Sequence, residues 1–264
     1  ATMLSALEER SQARDWLNTL IQSVVEGVVT FDTRGRVTFM NEQAQTWAVE
    51  NTIGTRSNWT IHANEVVGSQ AGISTTVEVL SGAPVAAERT MYWDTWEEKD
   101  PARYIEWVEG HASLGTTEAA TKWYIPEGAT HIFDHFILIQ NPSLTESANV
   151  RVTFMDYLGK ETIHDHVVPP HSRYTIWTNF ILGSVRGFSA EVESRNAVPI
   201  FVEHATYWDA AGYHWAGGHG TIGLIHPAPL WFLPEGATTI FDEYLLIENP
   251  NPTDTAQVKI TFMG

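Results

Sequence analysis

The chain contains no cysteine, few basic residues and no long apolar run, and each absence narrows what it can do. Without cysteine there is no disulfide, thiolate metal site or cysteine nucleophile. The 15 Lys and Arg residues are outnumbered by 32 Asp and Glu residues, and the formal net charge of −17 would repel nucleic acid and anionic membranes. No apolar run approaches the ~20 residues of a membrane helix. We therefore expect no nucleic-acid partner and no membrane insertion.

Motifs of common enzyme classes and of secretion are also missing. The chain has no serine-hydrolase elbow, Walker loop, dinucleotide fingerprint or HExxH zinc motif. Charged residues such as Glu8, Arg10 and Asp15 occupy the place where a signal peptide would have its apolar core. We predict a non-enzymatic protein with no catalytic residues, which is either an excerpt of a longer precursor or cytoplasmic.

What the chain does contain is an internal repeat. The sequence WYIPEG at 123–128 returns 108 residues later as WFLPEG at 231–236. At the same spacing FDHFILIQNP at 133–142 matches FDEYLLIENP at 241–250, and VTFM at 152–155 matches ITFM at 260–263. Agreement over three separate segments is a specific signal, and repeats of this length are whole supersecondary units or domains.

A second comparison extends the repeat toward the N-terminus. VTFM also occurs at 37–40, and ERTMYW at 88–93 matches EHATYW at 203–208, in both cases 115 residues apart. Beyond a seven-residue insertion, GH at 110–111 matches GH at 218–219, and the spacing is again 108. The predicted domains are a helix plus stub at 1–34, the back part of a repeat at 35–120, a complete repeat at 121–228, and the front part of a further repeat at 229–264.

The repeat has the pattern of short strands. Val150, Val152 and Phe154 alternate with polar or intermediate residues, as in a half-buried strand, and Pro or Gly separates the apolar runs. About seven such runs fall within one repeat, and no convincing helical period occurs between residues 121 and 264. The predicted fold class is all-β, with tandem immunoglobulin-like β-sandwich repeats preceded by one N-terminal amphipathic helix.

The repeat text resembles a poorly characterised family of bacterial surface-protein repeats. The resemblance is carried by WFLPEG (231–236), FDEYLLIENP (241–250), VKITFM (258–263) and AERTMYW (87–93), and it covers about 35–264. It implies tandem sandwich domains in long extracellular or cell-surface proteins, and it implies no reaction. The ligand is not specified by these motifs.

The first 40 residues have a different character. Leucine and other apolar residues follow helical spacing from Leu4 to Val25, with charged residues on the opposite face. The following text closely resembles the opening of a PAS sensor domain after the helical linker of sensor histidine kinases, but only about two strands of it are present. We expect residues 27–31 and 36–40 to form a hairpin whose second strand joins the sheet of the repeat.

Several polar clusters are candidate sites, each weighed against a structural role. His164 and His166 lie on one face of a predicted strand with His171 nearby, which makes them the best candidate for a transition metal, although a solvated strand face is the plainer interpretation. The pair His131 and His135 is a weaker candidate because it also lies on a predicted strand. Calcium could bind at the acidic residues near the insertion, namely Glu97, Glu98, Asp100, Glu106 and Glu109.

Residues that match between repeats have a structural interpretation first. His111 and His219 follow a glycine, and we expect turn residues that bond the backbone. Glu88 and Glu203 precede the Tyr-Trp pair, and we expect each to make a structural hydrogen bond or ion pair. No cofactor is predicted.

The leading functional hypothesis is an extracellular structural or adhesive array. Partial repeats would expose unpaired edges and apolar core, so we expect them to complement each other between copies, either head-to-tail as a fibre or in a closed oligomer. The candidate complementing residues are Val37, Phe39, Ile240, Tyr244, Leu246, Ile260 and Phe262. The alternatives are a sensory module of a membrane-associated histidine kinase and a carbohydrate-binding module that recognises surface glycans through exposed aromatic rings.

Overall fold

The computed structural model describes residues 29–31, 37–40, 47–68, 72–97, 100–185, 187–210, 213–238, 240 and 242–263. The predicted amphipathic helix lies outside these residues. Strands dominate the described part of the chain, as the all-β prediction requires. In chain order the strands are β1 (Val29–Phe31), β2 (Val37–Met40), β3 (Glu88–Glu97), β4 (Asp100–Leu114), β5 (Lys122–Ile125), β6 (Phe133–Asn141), β7 (Ala148–Asp156), β8 (Glu161–Val168), β9 (Ser172–Trp177), β10 (Phe188–Ser194), β11 (Phe201–Ala210) and β12 (Tyr213–Ile222).

Two compact units divide the chain. One comprises residues 1–76 together with Ser172–Tyr174, and the other comprises residues 77–171 and 175–264. In the first unit the described regular elements are β1, β2, the helix α1 (Ala63–Val67) and the beginning of β9. The second unit contains the remaining strands and the helix α2 (Thr178–Leu182). In the part of the chain that the structure describes, no helix is long and apolar enough to span a membrane.

The centre of the fold is a pair of four-stranded antiparallel sheets. One sheet has the order β5-β10-β7-β8 and the other has the order β12-β11-β6-β9. Aromatic contacts join the two sheets, since the Phe188 ring of β10 meets both Phe154 of β7 and His135 of β6, with centroids 5.6 and 5.1 Å apart. The two inner faces therefore share one core, as in a β-sandwich.

The core follows from the alternation of the sequence. In β7, residues Val150, Val152 and Phe154 are buried while Arg151 and Thr153 between them are not, and β10 has the same period. Successive side chains of a strand point to opposite faces, so one apolar face per strand is enough to build the core. Trp123 and Ile200 extend this core at the ends of the strands.

A separate two-stranded antiparallel sheet is formed by β3 and β4. Glu88 pairs with Leu114 at one end, and the register shifts after Trp93 on the way to the tip. This hairpin packs against β12 within the second unit.

The hairpin predicted around residue 34 is confirmed in its described part, because β1 pairs with β2 through Val29 and Met40. The expectation that its second strand continues into the sheet of the repeat is wrong among the described residues, where this sheet has only two strands. The absence of helix predicted for residues 121–264 is also wrong at α2, whose five residues are too few to show a period.

The described residues of 47–87 and of 223–263 contain no strand, and their only helix is α1. Most of their apolar side chains are exposed, although they have the composition of strands. The segment 229–263 is of special interest because its sequence is nearly that of β5, β6 and β7.

Candidate functional site

The segment 229–263 exposes side chains whose sequence counterparts form the core. Phe154 of β7 is 2% exposed, whereas Phe262, 108 residues later, is 78% exposed. Ile139 of β6 is 1% exposed and Ile247 is 58% exposed. A row of exposed large apolar side chains is unusual on an isolated soluble domain and marks an interaction surface. The exposed apolar residues of this segment are Leu230, Trp231, Phe232, Leu233, Ile240, Tyr244, Leu246, Ile247, Val258, Ile260, Phe262 and Met263.

The tryptophans of the two WxxPEG sequences show the same contrast. Trp123 is 1% exposed and donates from Nε1 to the carbonyl oxygen of Ile200 at 2.9 Å. Trp231 is 53% exposed. A buried indole whose N–H is bonded is a strong fixed point of a core. The second copy of this residue lacks that environment in the chain as it stands.

One part of the segment already has the structure of its counterpart, namely the corner after the second strand. Asn141 donates to the carbonyl oxygen of Glu146 at 2.8 Å, and Asn249 donates to that of Asp254 at 2.9 Å. Asn141 also donates to the buried carbonyls of Val168 and Pro169. The corner at Asn249 is thus formed locally, without the contacts that bury its counterpart.

The hairpin β3–β4 and the hairpin β11–β12 have the same internal register. Tyr92 lies opposite Gly110, and Tyr207 lies opposite Gly218. A Cβ atom added to either glycine would come within 2.6 Å of the tyrosine ring that covers it. Each tyrosine ring therefore packs flat on the backbone of the facing strand, which only glycine permits.

The tips of the two hairpins share an unusual backbone conformation. Trp107 has φ 52° and Trp215 has φ 49°, in the left-handed region that side chains rarely adopt. The backbone N–H of each tryptophan donates to an aspartate side chain, Asp94 in one hairpin and Asp209 in the other, at 2.7 and 2.9 Å. The same turn is thus fixed twice by the same hydrogen bond.

The face of β3–β4 that carries Arg89 and Trp93 packs on the outer face of β11–β12. Trp93 donates from Nε1 to the carbonyl oxygen of Trp215 at 2.7 Å, and its ring meets Tyr207 edge-on at 5.5 Å. Arg89 forms an ion pair with Glu203. The predicted structural role of Glu203 is thereby confirmed.

The outer edge of β3 differs from that of its counterpart. In the central sheet β11 has two neighbours, β12 and β6. Among the described residues β3 has only β4. An edge strand with free backbone N–H and C=O groups is a template for pairing with another chain.

A row of buried polar side chains crosses the central sheet and was not predicted from the sequence. Glu127 accepts from His219 Nε2 at 2.9 Å, the ring of His219 meets that of His204 at 6.5 Å, and His204 stacks on His135 at 5.5 Å. Burial lowers the pKa of His135 to about 3 and that of His204 to about 4. The hydrogen bond to Glu127 instead raises the pKa of His219. Two of the three imidazoles are thus neutral at pH 7.

His111 is the sequence counterpart of His219 but has a different environment. It approaches the hydroxyl of Tyr207 at 3.3 Å, and burial, with Arg89 as a further cause, lowers its pKa to about 4. Both histidines lie within strands, β4 and β12, so the expectation of turn residues is wrong. The sequence signal for this site was the conserved spacing of two pairs, because the glutamates of WYIPEG and WFLPEG repeat as well as the histidines.

The predicted metal residues are only partly brought together. His164 and His166 lie side by side on β8 with ring centroids 6.4 Å apart, while His171 lies in the turn before β9 with φ 49°. Across the described residues no group of three His, Asp or Glu side chains could hold a metal. Metal binding at these histidines stays a prediction. The side chains of most of the predicted calcium cluster near the insertion lie outside the described residues.

The predicted complementing residues fall into two groups. Ile240, Tyr244, Leu246, Ile260 and Phe262 are all exposed, as strand complementation would require. Val37 and Phe39 lie in β2, but their side chains are outside the described residues.

Aromatic rings also line a shallow pocket between the two hairpins. Trp93, Tyr207, Trp215 and His214 contribute to it together with Met91 and Asp94. Tyr207 and Trp215 are stacked with centroids 4.9 Å apart. Nearby on the first hairpin, Tyr92 and Trp107 are stacked at 6.0 Å and are 62% and 70% exposed.

Comparison with known proteins gives limited information. No family model matches the chain, and no curated protein matches it. A solved structure described as Thermotoga maritima 1070 is 20% identical with a TM-score of 0.37, and it aligns 42% of this chain with 97% of its own. The Anabaena sensory rhodopsin transducer is 22% identical with a TM-score of 0.30, over 34% of this chain and 99% of its own. Similarity at this level carries no functional information.

Proposed function

We propose that this protein is a non-enzymatic structural or adhesive module of a tandem array of immunoglobulin-like β-sandwich repeats, which assembles with other copies of itself by strand complementation. The observation that supports this most is the exposure of the segment 229–263. Its apolar side chains match the core of β5–β7 residue for residue, yet they are uncovered in the chain.

Burial of this segment is strongly favoured on physical grounds. Each large apolar side chain contributes about 1.5–3 kcal/mol when it is fully buried rather than exposed. A segment with several such residues and strand alternation gains most when it enters a sheet, because its backbone groups are then paired as well. Another copy of the chain offers a matching place, since residues 37–114 correspond to the strands that surround β5 and β6 in the complete domain.

The proposed location is extracellular or at the cell surface. It follows from the resemblance to bacterial surface-protein repeats and from a composition without cysteine or a basic nucleic-acid-binding face. The sensory alternative depends on the N-terminal residues alone, and it stays a prediction.

The test is the mass of the protein in solution as a function of concentration. Light scattering is expected to show a mass that rises with concentration for the native sequence. Ile260→Asp places a charge where the counterpart Val152 is buried, and we expect it to weaken self-association more than tenfold, since an unpaired buried charge costs several kcal/mol.

Thr261→Asp is the matched control. It adds the same charge one residue away, on the face that corresponds to the half-buried Thr153. The control is expected to assemble nearly as the native sequence does. A native protein that stays at monomer mass at all concentrations would refute the proposal.

A second candidate function is the binding of surface glycans, favoured by the exposed stack of Tyr92 and Trp107. Aromatic faces of this size stack on the apolar faces of sugar rings. Glycan-array screening with the native protein and Trp107→Ala tests it, and binding must be present in the first and lost in the second. Equal binding by both proteins would remove this stack from consideration.

A further inference from the structure

The partial repeats contain matched charged residues that suggest how two copies pair. In the complete domain, His219 of β12 donates to Glu127, which follows β5. The counterpart of His219 is His111 in the hairpin β3–β4, and the counterpart of Glu127 is Glu235. His111 has no carboxylate hydrogen-bonded to it among the described residues, and Glu235 lies in the exposed segment.

A second pair appears where the complete domain has stacked histidines. His135 of β6 and His204 of β11 lie ring on ring in the shared sheet. Their counterparts are Glu243 in the segment and Arg89 in β3. Two neutral rings are thus replaced by one acidic and one basic side chain, which attract each other across a strand pair.

Arg89 can take part in such a pair without leaving its present partner. It now bonds Glu203 through one terminal nitrogen and Met91 through the other. A guanidinium group has five N–H donors in a fork, so it can bridge two carboxylates. Its side chain is also partly exposed on the hairpin.

We propose that the outer edge of β3 in one copy accepts residues 242–249 of a second copy as a new central strand, with Glu235 bound to His111 and Glu243 beside Arg89. This inference rests on the proposed self-association and specifies its register. The strand would have the place and direction that β6 has beside β11.

The register follows from the pairing in the complete domain. Ala205 lies opposite Phe136, and His204 lies opposite Ile137. With the repeat spacings of 115 and 108, the corresponding pairs between copies are Thr90 with Tyr244 and Arg89 with Leu245. A shift by one residue would turn Leu245 and Ile247 away from the core, so the register is strongly specified.

The absence of cysteine allows a direct test by cross-linking between chains. Two single variants, Thr90→Cys and Tyr244→Cys, are mixed under mild oxidation, so that a 90–244 disulfide can form only between molecules. Both positions are exposed in the chain, which keeps the folded state intact. Directly opposite residues in an antiparallel pair have the Cα separation that a disulfide needs.

The matched control mixes Thr90→Cys with Leu246→Cys, which lies two residues along the same face. We expect the 90–244 product, identified by mass spectrometry of the linked peptides, to exceed the 90–246 product at least about tenfold, because diagonal neighbours are too far apart to form a disulfide readily. If mass measurements show assembly but the 90–246 product dominates or neither forms, the register is wrong while self-association stands. If no assembly occurs, both proposals fail.

The charged pairs have a separate test in Glu235→Gln. Removal of this carboxylate is expected to weaken self-association about tenfold, the usual size for a charge-assisted hydrogen bond. Glu118→Gln removes the same charge from an exposed site outside the segment and is expected to have little effect. Equal effects of the two variants would overturn the assignment of Glu235 to His111.

Discussion

Strands β5–β7 and the segment 229–263 have nearly the same amino-acid sequence but different environments. In the first, alternate residues are sealed between two sheets; in the second, the same residues lie open. Local sequence therefore does not decide burial here, because a strand needs neighbours on both edges and a sheet across from it. The comparison teaches that the segment has the information for a core position and lacks only the partner strands.

The largest expected difference between the two regions is in the cost of truncating a core ring. Phe154→Ala should destabilise the complete domain by about 3–5 kcal/mol, the usual cost of removing a buried phenylalanine. Phe262→Ala should leave the free energy of unfolding of dilute, monomeric protein nearly unchanged, since this ring is exposed. Urea unfolding followed by circular dichroism measures both, and equal losses would break the comparison.

The next difference concerns the two corner asparagines. Asn141→Ala removes donors to three carbonyl oxygens, two of them in buried bonds, and should cost about 2–3 kcal/mol. Asn249→Ala removes one exposed bond and should cost well below about 1 kcal/mol in the monomer. The same unfolding measurement separates them, and a large loss at Asn249 would mean that its corner is already part of a cooperative core.

Acid should destabilise the complete domain through its buried histidines. The pKa values of His135 and His204 in the folded domain, about 3 and about 4, lie below the ordinary value of 6.5. As pH falls from about 6.5 toward 4, the unfolded chain binds protons that the folded domain excludes, so stability decreases in that window. Each such histidine contributes a slope of up to about 1.4 kcal/mol per pH unit.

His204→Gln should reduce this slope, because it removes one of the two groups. Unfolding free energies measured at several pH values between 7 and 4 provide the check. An unchanged slope in the variant would show that other groups cause the acid sensitivity.

The smallest expected effect is the difference in titration between His219 and His111. In dilute protein, NMR should show His219 titrating above the ordinary value, since Glu127 stabilises its charged form, and His111 titrating near pH 4. Glu127→Gln should lower the pKa of His219 and leave that of His111 unchanged. If the two histidines titrate together, their environments do not differ as the structure has them.

The sequence predicted the strand content because alternation at Val150, Val152 and Phe154 determines which face is buried. It could not predict that the glycines before His111 and His219 lie within strands. Those glycines are required because a tyrosine ring covers them, a contact between strands far apart in the chain. The helix α2 was missed because five residues contain little more than one turn.

The candidate site divides in the same way. The exposed rings of residues 229–263 were anticipated, because their match to a complete repeat suggests strands without partners. The row from Glu127 to His135 was not, since its members are far apart in sequence and meet only when β6, β11 and β12 are side by side. Metal chemistry at His164 and His166 was predicted from spacing, which places two ligands on one face but cannot supply a third.

The corner at Asn249 also has a consequence for the speed of association. Its hydrogen bonds join residues at most five positions apart, so they can form before any second molecule arrives. Part of the conformational search is then completed in advance, and fewer backbone torsions must be fixed during each productive collision. Loosening this corner should therefore slow the bimolecular on-rate while the dissociation rate of a formed pair changes little.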